Sequence, residues 1–185
     1  IPAGGRSEAQ RHLLASIITQ IAMWDFETAE RLSRSTISTI LSPVQILREI
    51  ALERNWQPDE IPCVYRGTAG RFENATYTHA ALLALKGEER DIQSRIWQGQ
   101  VQVLLPLIER RRLNLLPKLE RYLQFPLQIG NQEVSDIREL EIGQLYYLLH
   151  NKIPPNLWRE IAILRRQRND LAHLQPLSIH EIESF

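Results

Sequence analysis

Apolar residues recur along this chain at three- and four-residue spacing, broken by short polar or proline-bearing stretches, a pattern that predicts helices in series. Leu13, Leu14, Ile17, Ile18, Ile21 and Trp24 form the first stripe. Ser7, followed by Glu8 and Gln10, reads as its start. The spacing predicts that this helix reaches Glu30 or Leu32, where Ser33-Arg34-Ser35-Thr36 breaks it. Ile37, Ile40 and Leu41 predict a further turn or two. Ser42-Pro43 reads as a cap with proline at the first helical position, and Ile46, Leu47, Ile50 and Ala51 mark a helix ending near Asn55.

The pattern then changes. Trp56, Pro58, Pro62, Gly67 and Gly70 punctuate residues 56–74, which read as a long ordered loop with Cys63-Val64-Tyr65 its only β-like piece. Gly67-Thr68-Ala69-Gly70-Arg71 invites comparison with a phosphate loop but lacks the lysine and Ser/Thr that such a loop needs, so a plain turn is expected. Helical spacing resumes over Thr76–Leu85, stops at Gly87 and restarts at Glu88. Ile92, Ile96, Trp97, Val101, Leu104, Leu107 and Ile108 give the buried side of a long helix that Pro106 should kink or divide. Arg110-Arg111-Arg112 closes it, and Leu115-Leu116-Pro117 starts a short helix through Leu119 and Tyr122.

Phe125-Pro126 to Gln132 reads as a loop with a Gly130-Asn131 turn. Ser135 or Asp136 should cap a helix carrying Ile137, Leu140, Leu145, Leu148 and Leu149 to His150. Pro154-Pro155-Asn156 then turns the chain back into an antiparallel partner, on which Leu157, Ile161 and Leu164 share a face and Arg168 takes the next step of the stripe. A charge in that place implies a cleft or interface. Pro176 should stop this helix, with a last short one from Ser178. The fold class expected is therefore all-α, with an N-terminal helical segment and loop over 1–74 and a helical bundle of four to five helices over 75–185.

Composition narrows the functional classes. Lys+Arg and Asp+Glu are both 22, so bulk basicity does not mark a nucleic-acid binder, although local positive charge is still compatible with one. Cys63 is the only cysteine, which excludes an internal disulfide and a thiolate metal cluster and makes the cytoplasm the expected compartment. No run approaches a membrane span and no signal segment is visible, so no membrane partner is expected. The opening Ile1-Pro2-Ala3-Gly4-Gly5 reads as an expression remnant or a cut from a longer protein.

The densest chemistry is Arg165-Arg166-Gln167-Arg168-Asn169-Asp170-Leu171-Ala172-His173. Arginine offers a permanent fork of donors to phosphate oxygens, histidine exchanges protons near neutral pH, and asparagine can hold either group. Asp170 is expected to face solvent or to pair with Arg166. Arg168-Asn169, three residues and His173 resemble the signature of HEPN-domain ribonucleases. Glu-Ile-Gly at 141–143 and the Pro154-Pro155 turn resemble the Swt1-type branch of that family. The likeness covers the last third of the chain. It implies a small α-helical domain that pairs as a homodimer, with Arg168, Asn169 and His173 of both copies lining one cleft.

That resemblance implies a metal-independent endoribonuclease acting in prokaryotic defence or stress, with RNA as substrate and without a cofactor. A toxin of this kind implies an antitoxin or a fused sensor or ATPase domain as partner. Attack of a ribose 2′-hydroxyl on phosphorus would leave a 2′,3′-cyclic phosphate, with His173 as base or acid, Arg168 stabilising phosphate charge and Asn169 orienting. No carboxylate cluster or His/Cys set has metal-ligand spacing. Arg165, Arg110, Arg111 and Arg112 are candidate RNA contacts, against a plain solvated helix end. Glu141 either supports the motif from the neighbouring helix or is simply exposed. Tyr146-Tyr147 read as packing rather than base stacking, and His12, His79, His150 and His180 as isolated structural residues. The competing reading is a non-catalytic HEPN-like dimerisation or interaction domain of a larger protein, in which the same charged residues only cap a helix.

Overall fold

The computed structural model describes residues 7–183 and 185. Ile1-Pro2-Ala3-Gly4-Gly5, read above as a remnant or a cut, lies outside the described residues. Helices dominate the described residues, with two short two-stranded sheets. The chain divides into two units, Ile1–Val103 together with Leu174–Phe185, and Leu104–His173.

In the first unit α1 (Glu8–Ala22) opens on a reciprocal cap. Ser7 Oγ accepts the Gln10 N–H at 3.2 Å, and Gln10 Oε1 accepts the Ser7 N–H at 3.1 Å. Leu13, Leu14, Ile17 and Ile21 are buried along it. The chain does not run on as one helix to Glu30 or Leu32. Met23 takes a left-handed φ of 52°, and Asp25 caps a separate α2 (Phe26–Ser33) by accepting the Glu27 N–H at 3.2 Å. Next come α3 (Ile37–Leu41) and α4 (Val44–Glu53), the latter starting one residue after the expected proline position.

The expected loop over 56–74 holds more order than its punctuation shows. Val64–Arg66 is a 3₁₀ turn rather than a strand, and β1 (Ala69–Phe72) pairs antiparallel with β2 (Ala75–Thr78), Ala69 opposite Thr78. The helix expected from Thr76 thus begins later, as α5 (Ala80–Lys86), because Thr76-Tyr77-Thr78 prefer a pleated strand. A domain boundary at 74/75 would fall in the turn of this hairpin, and the observed units divide elsewhere.

One helix, α6 (Glu89–Leu119), continues through Pro106 and Pro117, so no new segment starts at either proline. In the first unit its Gly99 lies against the backbone of Ile17, so close that an added Cβ would sit 2.5 Å from Ile17 Cα. Backbone cannot swing aside as a side chain can. Gly99→Ala should therefore cost about 3 kcal/mol by forcing α1 and α6 apart, read as a lowered urea midpoint. One residue on, the fully buried Gln100 clasps the segment before α9 (Ile179–Glu183). Its Nε2 donates to the Leu177 carbonyl at 3.0 Å and its Oε1 accepts the Leu177 N–H at 2.6 Å.

In the second unit the rest of α6 buries Leu104, Ile108, Leu115, Leu116 and Leu119. The expected Gly130-Asn131 turn joins β3 (Leu127–Ile129) to β4 (Gln132–Val134), with Gly130 at a φ of 59° that glycine takes without strain. Asp136 caps a 3₁₀ turn, Ile137–Glu139, instead of the long helix expected there. Glu141 then caps α7 (Ile142–Leu148) in a reciprocal box with Gln144. Pro155 stands at the first turn of α8 (Pro155–Ala172), where its fixed φ and missing N–H cost nothing. Leu174, at a φ of 60°, ends that helix before Pro176 is reached.

Candidate functional site

The buried stripe of α8 is Leu157, Ile161, Leu164, Gln167 and Leu171. It steps through Gln167, not through Arg168 as the spacing led one to expect. Arg168 stands beside the stripe with about half its side chain exposed, and its Nη2 lies 3.5 Å from Glu141 Oε2 at the cap of α7. So exposed a pair contributes little to stability. Arg168 and Glu141 form one side of an open cavity of about 330 Å³, together with Glu109, Arg112, Arg138 and Glu139. Three carboxylates face three guanidinium groups there, so the cavity is close to neutral.

Asn169 is half-buried, and its carbonyl accepts the His173 N–H at 2.9 Å. His173 is the exposed residue just past α8. It does not line the cavity that Arg168 lines. Five helical steps separate the two by about 140° around the axis, so one chain does not bring Arg168 and His173 together.

The arginine triplet divides, because consecutive helix positions point to different sides. Arg110 is exposed and Arg111 is half-buried. Arg112 is buried at 8 % exposure. Its guanidinium bonds Glu109 at 2.6–3.0 Å, the Leu140 carbonyl at 2.7 Å and the Arg138 carbonyl at 3.4 Å. Those bonds hold the Glu109 carboxyl below the usual carboxylate range. The expected RNA contact at Arg112 is thus corrected to a clamp between α6 and the segment before α7. Arg112→Ala should cost about 1–3 kcal/mol by leaving the buried Leu140 carbonyl without its donor. Arg110→Ala should stay within about 0.5 kcal/mol. Urea titration of both variants checks the contrast.

Arg165 is not an open fork either. Its guanidinium carbon lies 4.5 Å from the Tyr146 ring centre and 5.0 Å from that of Tyr147, and Nη2 donates to the Tyr147 hydroxyl at 2.9 Å.

The first unit holds a buried polar knot that periodicity could not reveal. His79 is 1 % exposed and caps α5, its Nδ1 accepting the Ala81 N–H at 3.1 Å. Nε2 therefore carries the proton of the neutral ring and donates to Asp25 Oδ2 at 2.7 Å. The same carboxylate takes Thr28 Oγ1 at 2.6 Å and Arg54 Nη1 at 2.8 Å. Trp24 and Trp56 meet the imidazole edge-on, with centroids 5.7 and 5.0 Å away. Burial pushes the Asp25 carboxyl up, but the hydrogen bonds from Arg54, Thr28 and His79 outweigh it and hold the group far below the usual range. Burial pushes His79 down, more strongly than Asp25 pulls it up. Every polar atom of the His79 ring is committed, so this knot is architecture.

Among the described residues no three His, Cys, Asp or Glu side chains gather as a metal-ligating group, and no helix is long and apolar enough to cross a membrane. No protein-family model matches the chain, and no curated protein or solved structure matches it.

Proposed function

We propose that this chain is a HEPN-like endoribonuclease domain whose site forms between two copies. The observation that carries this reading is the end of α8. Arg168 and His173 both reach solvent there, yet they lie about 140° apart on one helix. One copy cannot close both groups on a phosphate. Two copies, packed motif to motif about a two-fold axis, can supply the arginine and the histidine from opposite sides.

In such a site the ribose 2′-oxygen attacks the adjacent phosphorus while the P–O5′ bond breaks. One histidine takes the 2′-hydroxyl proton, or gives a proton to the leaving 5′-oxygen, and Arg168 neutralises the charge that builds on the non-bridging oxygens. Incoming phosphate must displace Glu141 from Arg168, and their exposed pairing makes that exchange easy. Prokaryotic defence or stress is the setting that the family likeness supplies, with an antitoxin or a fused sensor or ATPase as partner.

A second reading has its own observation. Glu109, Glu139 and Glu141 balance the three arginines of the cavity that Arg168 lines, so it offers phosphate no net attraction, which favours a dimerisation or docking domain without catalysis.

The deciding experiment is cleavage of labelled RNA by the dimer in EDTA, beside Arg168→Ala and His173→Ala. Cleavage that leaves cyclic-phosphate ends and fails in both variants supports the enzyme. A mixed dimer of the two variants should regain part of the activity, because its shared cleft keeps one intact arginine and one intact histidine, from opposite copies. Equal activity in parent and variants overturns the site, and an inactive verified dimer favours the docking domain.

A further inference from the structure

We infer that α7 and α8 carry a stacking platform for single-stranded RNA that feeds the motif end of α8. This rests on the ribonuclease reading for its purpose, though not for its test.

The platform is a continuous set of flat groups. Tyr147 meets Tyr146 edge-on at 5.3 Å, and Tyr146 lies 5.1 Å from Trp158 at a tilt of 33°. Arg165 covers both tyrosines and fixes the Tyr147 hydroxyl at 2.9 Å. Arg165 thus acts as a bracket that holds rings in place, a different task from the phosphate contact expected of it. Tyr147 is nonetheless 68 % exposed. An aromatic ring locked in position but open to solvent has already lost its conformational freedom, so a base that stacks on it finds a prepared surface.

Helix geometry gives this surface a direction. At about 100° per residue, Trp158, Arg165 and Asn169 fall within about 40° of one another along α8. Arg159 and Arg166, with His173 just past the helix end, make a second line about 80° round. The first line offers flat faces and ends at the motif asparagine. The second offers cations and ends at the motif histidine. Asp170 is the α8 carboxylate that lies near the second line. Between the two lines an open depression of about 440 Å³ is lined by Pro155, Trp158, Arg159, Ala162, Ile163 and Arg166. In that depression Trp158 is the aromatic side and Arg159 and Arg166 the cationic side, and Tyr146 against Trp158 carries the aromatic side on beyond it; that arrangement suits a strand whose bases turn one way and whose phosphates turn the other. From Trp158 to Asn169 the line is about 16 Å long, enough for several stacked nucleotides at about 3.4 Å each.

Charge and shape favour a single strand over a second copy of the chain, since like-charged arginine lines would oppose each other in self-association. Duplex RNA hides its base faces and gains nothing from the rings.

The test uses the full chain and short labelled oligonucleotides that cannot be cleaved, namely single-stranded DNA and 2′-O-methyl RNA, followed by fluorescence anisotropy. Stacking tolerates both sugars, so both should bind and a duplex of the same sequence should bind less well. Tyr147→Ala should weaken binding by about tenfold, while Tyr147→Phe, which keeps the ring, stays near the parent. Arg159→Ala should lower the slope of log K against log salt by about 0.7. No binding by the parent overturns the platform, as does parent-like binding by a folded Tyr147→Ala. A shift of Tyr147→Ala from dimer to monomer with binding per chain unchanged marks the rings as a self-association surface instead. Tyr147-dependent binding of these probes, with no cleavage of unmodified RNA by the same dimer, leaves the platform standing and removes the ribonuclease. His173-dependent cleavage with Tyr147-independent binding does the reverse.

Discussion

Asp25→Ala should cost about 3–5 kcal/mol, enough to unfold many domains of this size at moderate temperature. The carboxylate serves four donors at once. It caps α2, takes the Thr28 hydroxyl, receives the proton-bearing Nε2 of buried His79 and balances Arg54. Removing it leaves a half-buried guanidinium and a buried imidazole without their shared acceptor, and such a loss exceeds the worth of any one bond. Asp25→Asn keeps the cap, because asparagine caps as well as aspartate, but loses the charge, so it should fall between Ala and the parent.

The same knot sets an acid limit. An unfolded aspartate binds a proton near pH 3.9, whereas folded Asp25 resists to lower pH. Its contribution is complete above the unfolded value and is lost as pH falls from there toward the folded one. His79 acts in the same direction from a higher window. The unfolded imidazole charges near pH 6.5, and the buried ring resists until lower pH, so stability declines as pH drops below that value. Urea midpoints taken from pH 7 to pH 3 should fall steadily in the parent. Asp25→Ala should remove the lower part of that fall. A flat parent profile would refute this account of both groups.

His173→Ala should slow RNA cleavage by about 10²–10⁴-fold if His173 moves the proton. Added imidazole should restore part of the rate, since the substitution leaves room at an exposed helix end for a free ring. Arg168→Ala should slow cleavage by a comparable factor of about 10²–10³, with Arg168→Lys recovering only part because lysine lacks the planar fork. Imidazole should not help either Arg168 variant. Rescue of both, or of neither, would separate the two side chains from the roles given them. Neither substitution touches the buried stripe, so thermal midpoints should stay near the parent, which keeps a loss of activity distinct from a loss of fold.

How much of this was legible depends on how local the cause is. The start of α8 follows from Pro154-Pro155 and a strong apolar stripe, and both are short-range signals. The next step of that stripe was not legible. From Leu164 a helix continues equally well by three or four residues, and only packing chose Gln167 over Arg168. The β1–β2 hairpin was missed because its turn, Glu73-Asn74, lacks the glycine that usually advertises a two-residue turn. Nor does Pro106 begin a new segment. Leu104 and Ile108 are buried on either side of it, and that burial outweighs the local cost of a proline in mid-helix. The Asp25–His79 bond joins positions 54 residues apart, and nothing in the spacing of either residue announces it. Of the motif, the residues were legible and their separation on one helix followed from arithmetic, while the carboxylates around Arg168 emerged only in three dimensions.

The clasp between Gln100 and Leu177 bears on the order in which the protein is made. A chain leaves the ribosome from its N-terminus, and domains generally fold as units as they emerge. Here the first unit, begun earliest, stays without its last segment until residue 177 is synthesised. The second unit, Leu104–His173, is contiguous and has emerged in full before then. The part of the chain translated later is thus ready to fold sooner, and the older part waits with the Gln100 amide unpaired until its closing segment arrives.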